Sequence, residues 1–292
     1  MIFRHLVLLS QHQILSTEPK PFVKWAGGKR QLMPIIERHV PSDFGTYFEP
    51  FLGGGALLFH LISKNPEIRC KASDLNSDLV LAYVTIRDRV DELITSLQNH
   101  AKNYKKSPDS YYYQTRESEP TGQIEKVSRL LFLNRTCFNG LYRVNSKGKF
   151  NVPLGRYANP NIVNEENLIS TSHALRSKKI QFSCRDFTSV LSDAKKGDFV
   201  YFDPPYQPVS RTANFTSYTN KDFTHEDLEK LVRVSEKLAD RGCKVLHSNS
   251  NTRQVRDLFS GDWKVVEIRA NRAINSDSAK RTGHTELLIK NY

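Results

Sequence analysis

Several features that would settle the class of this chain are missing. No apolar run approaches the roughly 18 residues of a membrane-spanning helix, so no span is expected. The four cysteines (Cys70, Cys137, Cys184, Cys243) stand alone, with no C-x-x-C pair. That argues against a zinc site or a disulfide framework and suits a reducing cytoplasm. Residues 1–15 are apolar in part, but Arg4, His5 and His12 interrupt them and no small-residue cleavage site follows. They read as a poorly ordered or loosely docked extension, or as the product of an upstream start codon, rather than a signal peptide. The G-x-x-x-x-G-K-[ST] spacing of a Walker loop is absent. Acids are missing from one long stretch. Residues 126–164 hold Lys126, Arg129, Arg135, Arg143, Lys147, Lys149 and Arg156, and no Asp or Glu. What is present is a chain of 292 residues, 38% hydrophobic and 25% charged, with room for one large α/β domain and an insertion. Its net charge of +12 suggests a polyanionic partner.

The chain turns on Asp198-Phe199-Val200-Tyr201-Phe202-Asp203-Pro204-Pro205-Tyr206. The first half is a β-branched and aromatic run that reads as a buried strand of a parallel sheet. Two prolines then remove two backbone donors and fix φ near about −65°, so the chain leaves the sheet in a stiff extended turn. Asp203, the carbonyls beside it and the Tyr206 ring are thereby held at the carboxyl end of a strand, where open α/β sheets bind ligands. These residue types suit one chemistry. An exocyclic amine conjugated to a purine ring is a poor nucleophile. A carboxylate (Asp203) and a proline carbonyl (Pro204) that accept its two N–H bonds favour the pyramidal nitrogen that attacks a methyl group. A tyrosine ring (Tyr206) stacks on a base that has left the duplex. A proline-terminated strand with a helix-capping Asp would show the same four residues, so the rest of the chain decides.

Upstream, Lys24-Trp25-Ala26-Gly27-Gly28-Lys29 precedes a helix expected over 31–39. The glycines let the backbone approach a ligand, and Trp25 offers a flat face for a ring. Residues 46–62 read as strand, glycine turn (Phe51-Leu52-Gly53-Gly54-Gly55) and helix. The next strand, 68–72, leads to Asp74, an acid placed either for ribose hydroxyls or to cap the helix over 77–87. The βα rhythm then breaks. Residues 88–100 and 123–133 read as helices joined by a polar segment with Tyr104, Tyr111, Tyr112 and Tyr113. Residues 134–157 follow, basic and aromatic, with Ser146-Lys147-Gly148-Lys149 as the tip of a hairpin between two short strands. Arginines there suit guanine O6 and N7, lysines suit phosphate, and an aromatic suits a wedge between bases. The rhythm resumes with a strand over 180–184 that ends at Asp186-Phe187, and then the Asp203 strand. A polar loop over 207–222 is of the kind that closes over a site. A helix starts at Thr224, a strand covers 244–249, and 263–269 and 286–290 form an antiparallel finish. The segment between those last two carries Arg272, Lys280 and Arg281 and reads as mobile.

In this order, Lys-Trp-Ala-Gly-Gly-Lys, Glu-Pro-Phe-Leu-Gly-Gly-Gly, a helical insertion and Asp-Pro-Pro-Tyr, the chain resembles the Dam family of DNA adenine-N6 methyltransferases from about residue 21 onward. Asn139-Gly140-Leu141-Tyr142-Arg143, Phe150-Asn151-Val152-Pro153, Gly155-Arg156-Tyr157 and Thr212-Ala213-Asn214-Phe215 are similar to segments of members that read GATC. The resemblance implies an α/β fold: a Rossmann-like methyltransferase sheet, mostly parallel with an antiparallel finish, plus an inserted helical target-recognition domain with a β-hairpin. Residues 21–87 and 179–292 would form the catalytic domain and 88–178 the recognition domain, after an extension over 1–20 that has no counterpart in the family.

The implied cofactor is S-adenosylmethionine, contacted by Trp25, Lys29, Asp74 and Asp203, with Phe51, Gly53 and Gly55 beneath it and Asp186 and Phe187 at its adenine. Its methyl is already activated, so no metal is expected. Asp203 and Pro204 would orient the target amine, and Tyr206 would stack on the flipped adenine. In double-stranded DNA, Leu141, Arg143, Pro153 and Tyr157 match base-reading positions, and Lys24 an outer base pair. Phe138 matches the inserted ring, with Asn139 beside it; many members have Tyr there, so the wedge stays and a hydroxyl is lost. Lys147 and Arg156 complete the expected DNA face. The family setting implies a cytoplasmic protein, nucleoid-associated if the source is prokaryotic, standing alone or paired in function with a cognate restriction endonuclease. Competing readings are an N4-cytosine or RNA adenine methyltransferase, and a silent DNA-binding relative.

Overall fold

The computed structural model describes residues 18–25, 27–177, 179–206, 223–270 and 284–292. Most of the extension, the polar loop with Thr212 to Phe215, the segment with Arg272, Lys280 and Arg281, and Ala26 lie outside the described residues. The chain divides into two compact units. The first comprises the residues up to Trp25, Gly54–Glu67 and Ser77–Lys178; the second comprises Ala26–Gly53, Ile68–Asn76 and Lys179–Tyr292.

The second unit is built on a seven-stranded sheet. Its strands are β1 (Thr46–Glu49), β2 (Arg69–Asp74), β3 (Ile180–Cys184), β4 (Phe199–Phe202), β5 (Lys244–Ser250), β6 (Lys264–Ala270) and β7 (His284–Lys290). The order is β3-β2-β1-β4-β5-β7-β6, parallel from β3 to β5, with β7 antiparallel to both β5 and β6. This is the expected Rossmann-like sheet with its antiparallel finish. The apolar run read as a buried strand is β4, whose four residues are all buried. Val200 and Phe202 join a core with Phe48, Phe187, Leu231, Val234 and Val245. The strand order reverses between β1 and β4, so the loops after these two strands flank a switch point.

The ends of the elements follow from local chemistry. Thr224 and Asp227 form a reciprocal capping box that starts the helix His225–Asp240. Asp198, buried just before β4, accepts the N–H of Thr46 at 2.7 Å and that of Lys195 at 2.8 Å, tying the starts of β1 and β4 together. The helix expected over 31–39 is broken into turns at Lys29–Leu32, Met33–Ile36 and Glu37–His39. Pro34 is the reason: it lacks the N–H that a continuous ladder needs there.

The first unit is helical, with helices Ala56–Lys64, Ser77–Asp88, Val90–Lys106, Pro108–Glu117, Gln123–Thr136 and Glu165–Leu175. The Tyr-rich stretch is not a connecting segment. Tyr104 lies in Val90–Lys106, and Tyr111, Tyr112 and Tyr113 lie in a helix that opens with Pro108, a residue suited to a first turn. Tyr112 is buried and donates its hydroxyl to the Val152 carbonyl at 2.8 Å. The hairpin is present as a turn, but its two expected strands reduce to isolated bridges, Val144 with Phe150 and Cys137 with Leu154. Two ladder bonds flank the Val144 bridge, from the Asn145 N–H to the Lys149 carbonyl and from the Asn151 N–H to the Arg143 carbonyl, and at the tip the Asn145 Oδ1 accepts the N–H groups of Lys147 and Lys149. Pro153 also has no N–H to offer a ladder. Among the described residues no helix is long and apolar enough to cross a membrane.

Asp198→Ala removes the acceptor of two part-buried N–H groups, those of Thr46 and Lys195. It should cost about 1–3 kcal/mol for each donor that water cannot reach, read as a lower urea midpoint with an unchanged m-value.

Candidate functional site

In the second unit the sheet edge holds a compact ionic cluster. Asp203 follows β4 directly, and Pro204 behind it is buried. The Lys29 ammonium, only 5% exposed, lies 2.8 Å from Asp203 Oδ1 and donates to the Gly27 carbonyl at 3.0 Å. Gly27 sits at φ +77, a backbone state that aims this carbonyl without a Cβ penalty. The ammonium also lies 4.5 Å from the centre of the Tyr206 ring. Burial pushes the Asp203 carboxyl up to about 6; Lys29 opposes the shift and Glu286 adds to it. The structure therefore brings together Lys29, Asp203, Pro204 and Tyr206.

A second group lies at the ends of β1, β2 and β3. Asp74 is the last residue of β2. Its Oδ2 accepts the Gly53 N–H and its Oδ1 the Asn76 N–H, both at 2.9 Å. Burial pushes this carboxyl above its ordinary value, against the backbone donors. Gly53 and Gly55 both have positive φ, at +47 and +65, so this turn needs residues without side chains. Phe51 stacks on Phe187, ring centres 5.3 Å apart. Asp186 caps the following turn through the Thr188 N–H at 3.0 Å, with Lys230 at 3.6 Å. Burial works against the Asp186 charge, but the Thr188 bonds and Lys230 hold its carboxyl below the usual range. This donor set suits an adenosine. Each Asp74 oxygen has accepted one N–H and keeps a lone pair for a hydroxyl, and Phe51 and Phe187 offer apolar ring faces.

In the first unit the residues expected at DNA surround one small loop. The Asn139 backbone is left-handed, at φ 54, and Gly140 beside it is at φ +63. A Cβ at Gly140 would sit 2.3 Å from Lys24 Cδ, so the loop and Lys24 are in close contact. The Lys24 ammonium lies 4.3 Å from the centre of the Tyr157 ring. Trp25 lies 5.3 Å from Tyr142, ring to ring. Arg143 Nε donates to Asn151 Oδ1 at 2.8 Å. Phe138 is 47% exposed although its N–H donates to the Pro153 carbonyl, so a large ring stands in water. Leu141 is half-buried, and Lys147, Pro153 and Arg156 are exposed.

The acid-free stretch does not present all of its charge. Arg129 donates to the Thr115 carbonyl at 2.9 Å and Arg135 to the Phe22 carbonyl at 2.7 Å. Lys149 pairs with Glu119, which lies outside the stretch, at 2.5 Å. Lys126, Lys147 and Arg156 are left exposed.

Two residues of these clusters escaped the reading of the sequence. Asn134, 1% exposed, accepts the Lys24 N–H at 2.7 Å and donates to the carbonyls of Lys24 at 2.8 Å and Gly140 at 3.0 Å. Its signal was an amide in register with Val127, Leu130 and Leu131 on the buried face of a helix. Glu286, 7% exposed, accepts the Tyr206 hydroxyl at 2.8 Å and lies 3.8 Å from Lys29. Its signal was a lone acid heading the apolar run of β7.

The model of the D12 class N6 adenine-specific DNA methyltransferase family matches residues 25–274. The chain is 41% identical over 279 residues to the Type II methyltransferase M1.LlaDCHI of Lactococcus lactis subsp. cremoris, an alignment covering 94% of this chain and 95% of that one. It is 41% identical over 291 residues to the Type II methyltransferase M.MjaIII of Methanocaldococcus jannaschii, covering 94% and 100%. It is 34% identical over 272 residues to the DNA adenine methylase of Escherichia coli K12, covering 92% and 94%. With the Asp203 cluster at the carboxyl edge of the sheet, these matches show that the chain belongs to the D12 class of N6 adenine-specific DNA methyltransferases.

Proposed function

We propose that the protein transfers a methyl group from S-adenosylmethionine to N6 of adenine in GATC, acting on an adenine turned out of double-stranded DNA. The observation that carries this reading is the Lys29–Asp203–Tyr206 cluster at the carboxyl end of β4, a carboxylate and an aromatic ring fixed beside two prolines. Asp203 accepts one N–H of the target amine and the Pro204 carbonyl accepts the other. Both bonds strengthen as the nitrogen gains positive charge in the transition state. Tyr206 supplies the face on which the extruded base stacks. Lys29 keeps Asp203 in place and favours its ionised form. When bound, S-adenosylmethionine supplies a methyl group already activated on a sulfonium. Asp74 would hold its ribose hydroxyls, and Asp186 and Phe187 its adenine. Target recognition is assigned to residues 88–178. There Arg143 reads a guanine, Leu141, Pro153 and Tyr157 read neighbouring bases, and Phe138 fills the gap beside Asn139. Lys147 and Arg156 hold phosphates, and Lys24 reaches an outer pair. The likeness of this segment to GATC-reading members supports the sequence assignment.

The direct test offers labelled S-adenosylmethionine and two duplexes, one with a single GATC and one with GTAC. Label on adenine of the first alone is expected. Label on both would remove the sequence assignment, and label on neither would remove the reaction. Asp203→Ala should abolish transfer while leaving DNA binding in place. In the native protein kcat should rise with pH through about 6, as the Asp203 carboxyl ionises, and then level; a rate independent of pH between 5 and 7 would deny Asp203 its role. Arg143→Ala should lose about 1–3 kcal/mol of discrimination at one guanine position, measured on duplexes with single substitutions.

A further inference from the structure

The antiparallel strand β7 brings a second acid to the reaction centre. Because β7 runs against β5, its beginning lies level with the end of β5, with Glu286 paired to Ser250. The carboxylate thus reaches the same sheet edge as Asp203, although 83 positions separate the two in the chain. Glu286 is 7% exposed, and its Oε2 accepts the Tyr206 hydroxyl at 2.8 Å. The same oxygen lies 3.8 Å from the Lys29 ammonium, which bonds Asp203 at 2.8 Å and faces the Tyr206 ring at 4.5 Å. Lys29, Tyr206 and Glu286 therefore close a ring of contacts, to which Asp203 is joined through Lys29. Its neighbours in β7, Leu287, Leu288 and Ile289, fill the core, whereas the Glu286 side chain meets Tyr206 and Lys29.

We propose that Glu286 is a positioning residue for methyl transfer: it holds the Tyr206 hydroxyl, fixes the plane of the ring on which the target base stacks, and steadies Lys29 between two carboxylates. This rests on the reading of Tyr206 as the stacking face. The Asp-Pro-Pro-Tyr turn leaves the sheet with two backbone donors missing, so its last side chain needs an anchor outside the turn. A ring held at its hydroxyl end keeps one face free for a base. The charged groups around Glu286 are Lys29 and Asp203, and the titratable neutral ones are Tyr206 and Tyr201; Glu49 faces Tyr201 from β1.

The test is a cycle of kcat values at saturating DNA and cofactor for the native protein, Glu286→Ala, Tyr206→Phe and the double variant. Each single change should lower kcat by roughly tenfold with the KM for DNA nearly unchanged, and the double variant should fall no further than the worse single one. Glu286→Gln, which keeps the volume and an acceptor oxygen, should recover most of kcat. It should also move the acid limb of the pH profile to lower pH, because the charge that raises the Asp203 carboxyl is gone. Multiplying effects in the double variant, a loss confined to KM, or equal damage from Gln and Ala would overturn the proposal. The carbon-13 resonance of Tyr206 Cζ, read without DNA or turnover, separates the two levels. It should shift in both Glu286 variants even if the native protein methylates no adenine, a result that would overturn the function and leave the pairing. An unshifted resonance would overturn the pairing itself.

Discussion

One ion pair organises the second unit's edge. Lys29 has almost no access to water, and a buried ammonium is costly unless it is met by charge and by hydrogen bonds. It is met by the Asp203 carboxylate, the Gly27 carbonyl and the face of Tyr206. These requirements explain the neighbouring sequence. Gly27 must adopt positive φ to present its carbonyl, β4 must end where Asp203 begins, and Pro204 and Pro205 must stop the chain from continuing as strand. The same pair leaves Asp203 poised. Burial favours the neutral acid and Lys29 favours the anion, so the group changes charge within the range where an enzyme works.

The first unit solves a similar problem with an amide instead of an ion. Asn134 satisfies three backbone groups on two separate segments, and Lys24 and the Gly140 turn are held together through it. A neutral side chain that uses both its donors and its acceptor can be buried without a counter-charge. The exposed ring of Phe138 then sits on a loop whose backbone is fixed on both sides, by Pro153 and by Leu141.

Much of this was readable in the sequence where one residue type serves one physical need. The β4 run, the glycine turn after β1, Asp74 at the end of β2 and the capping box at Thr224 are all local signals, and the structure contains each of them. Legibility failed where context outweighs pattern. Tyr111, Tyr112 and Tyr113 looked like a connecting segment because their polarity hid a helix that buries Tyr112 alone of the three. The hairpin strands shrank to bridges: backbone bonds flank only the Val144–Phe150 pair, and the Asn145 side chain takes the donors at the tip. The acid-free stretch 126–164 holds seven basic residues, but Arg129 and Arg135 are spent on carbonyls and Lys149 on Glu119. The lone acid Glu286 could be seen heading an apolar run, but its place could not: the antiparallel insertion of β7 carries it to Asp203's edge.

The measurement that bears most directly on this account is the titration of the Asp203 carboxyl by carbon-13 NMR, in the native protein and in Lys29→Met. A midpoint near 6 is expected in the native protein, with a clear move to higher pH in the variant, where burial acts on the acid without the ammonium to oppose it. An ordinary midpoint near about 4, or one that stays in place when Lys29 is removed, would contradict it.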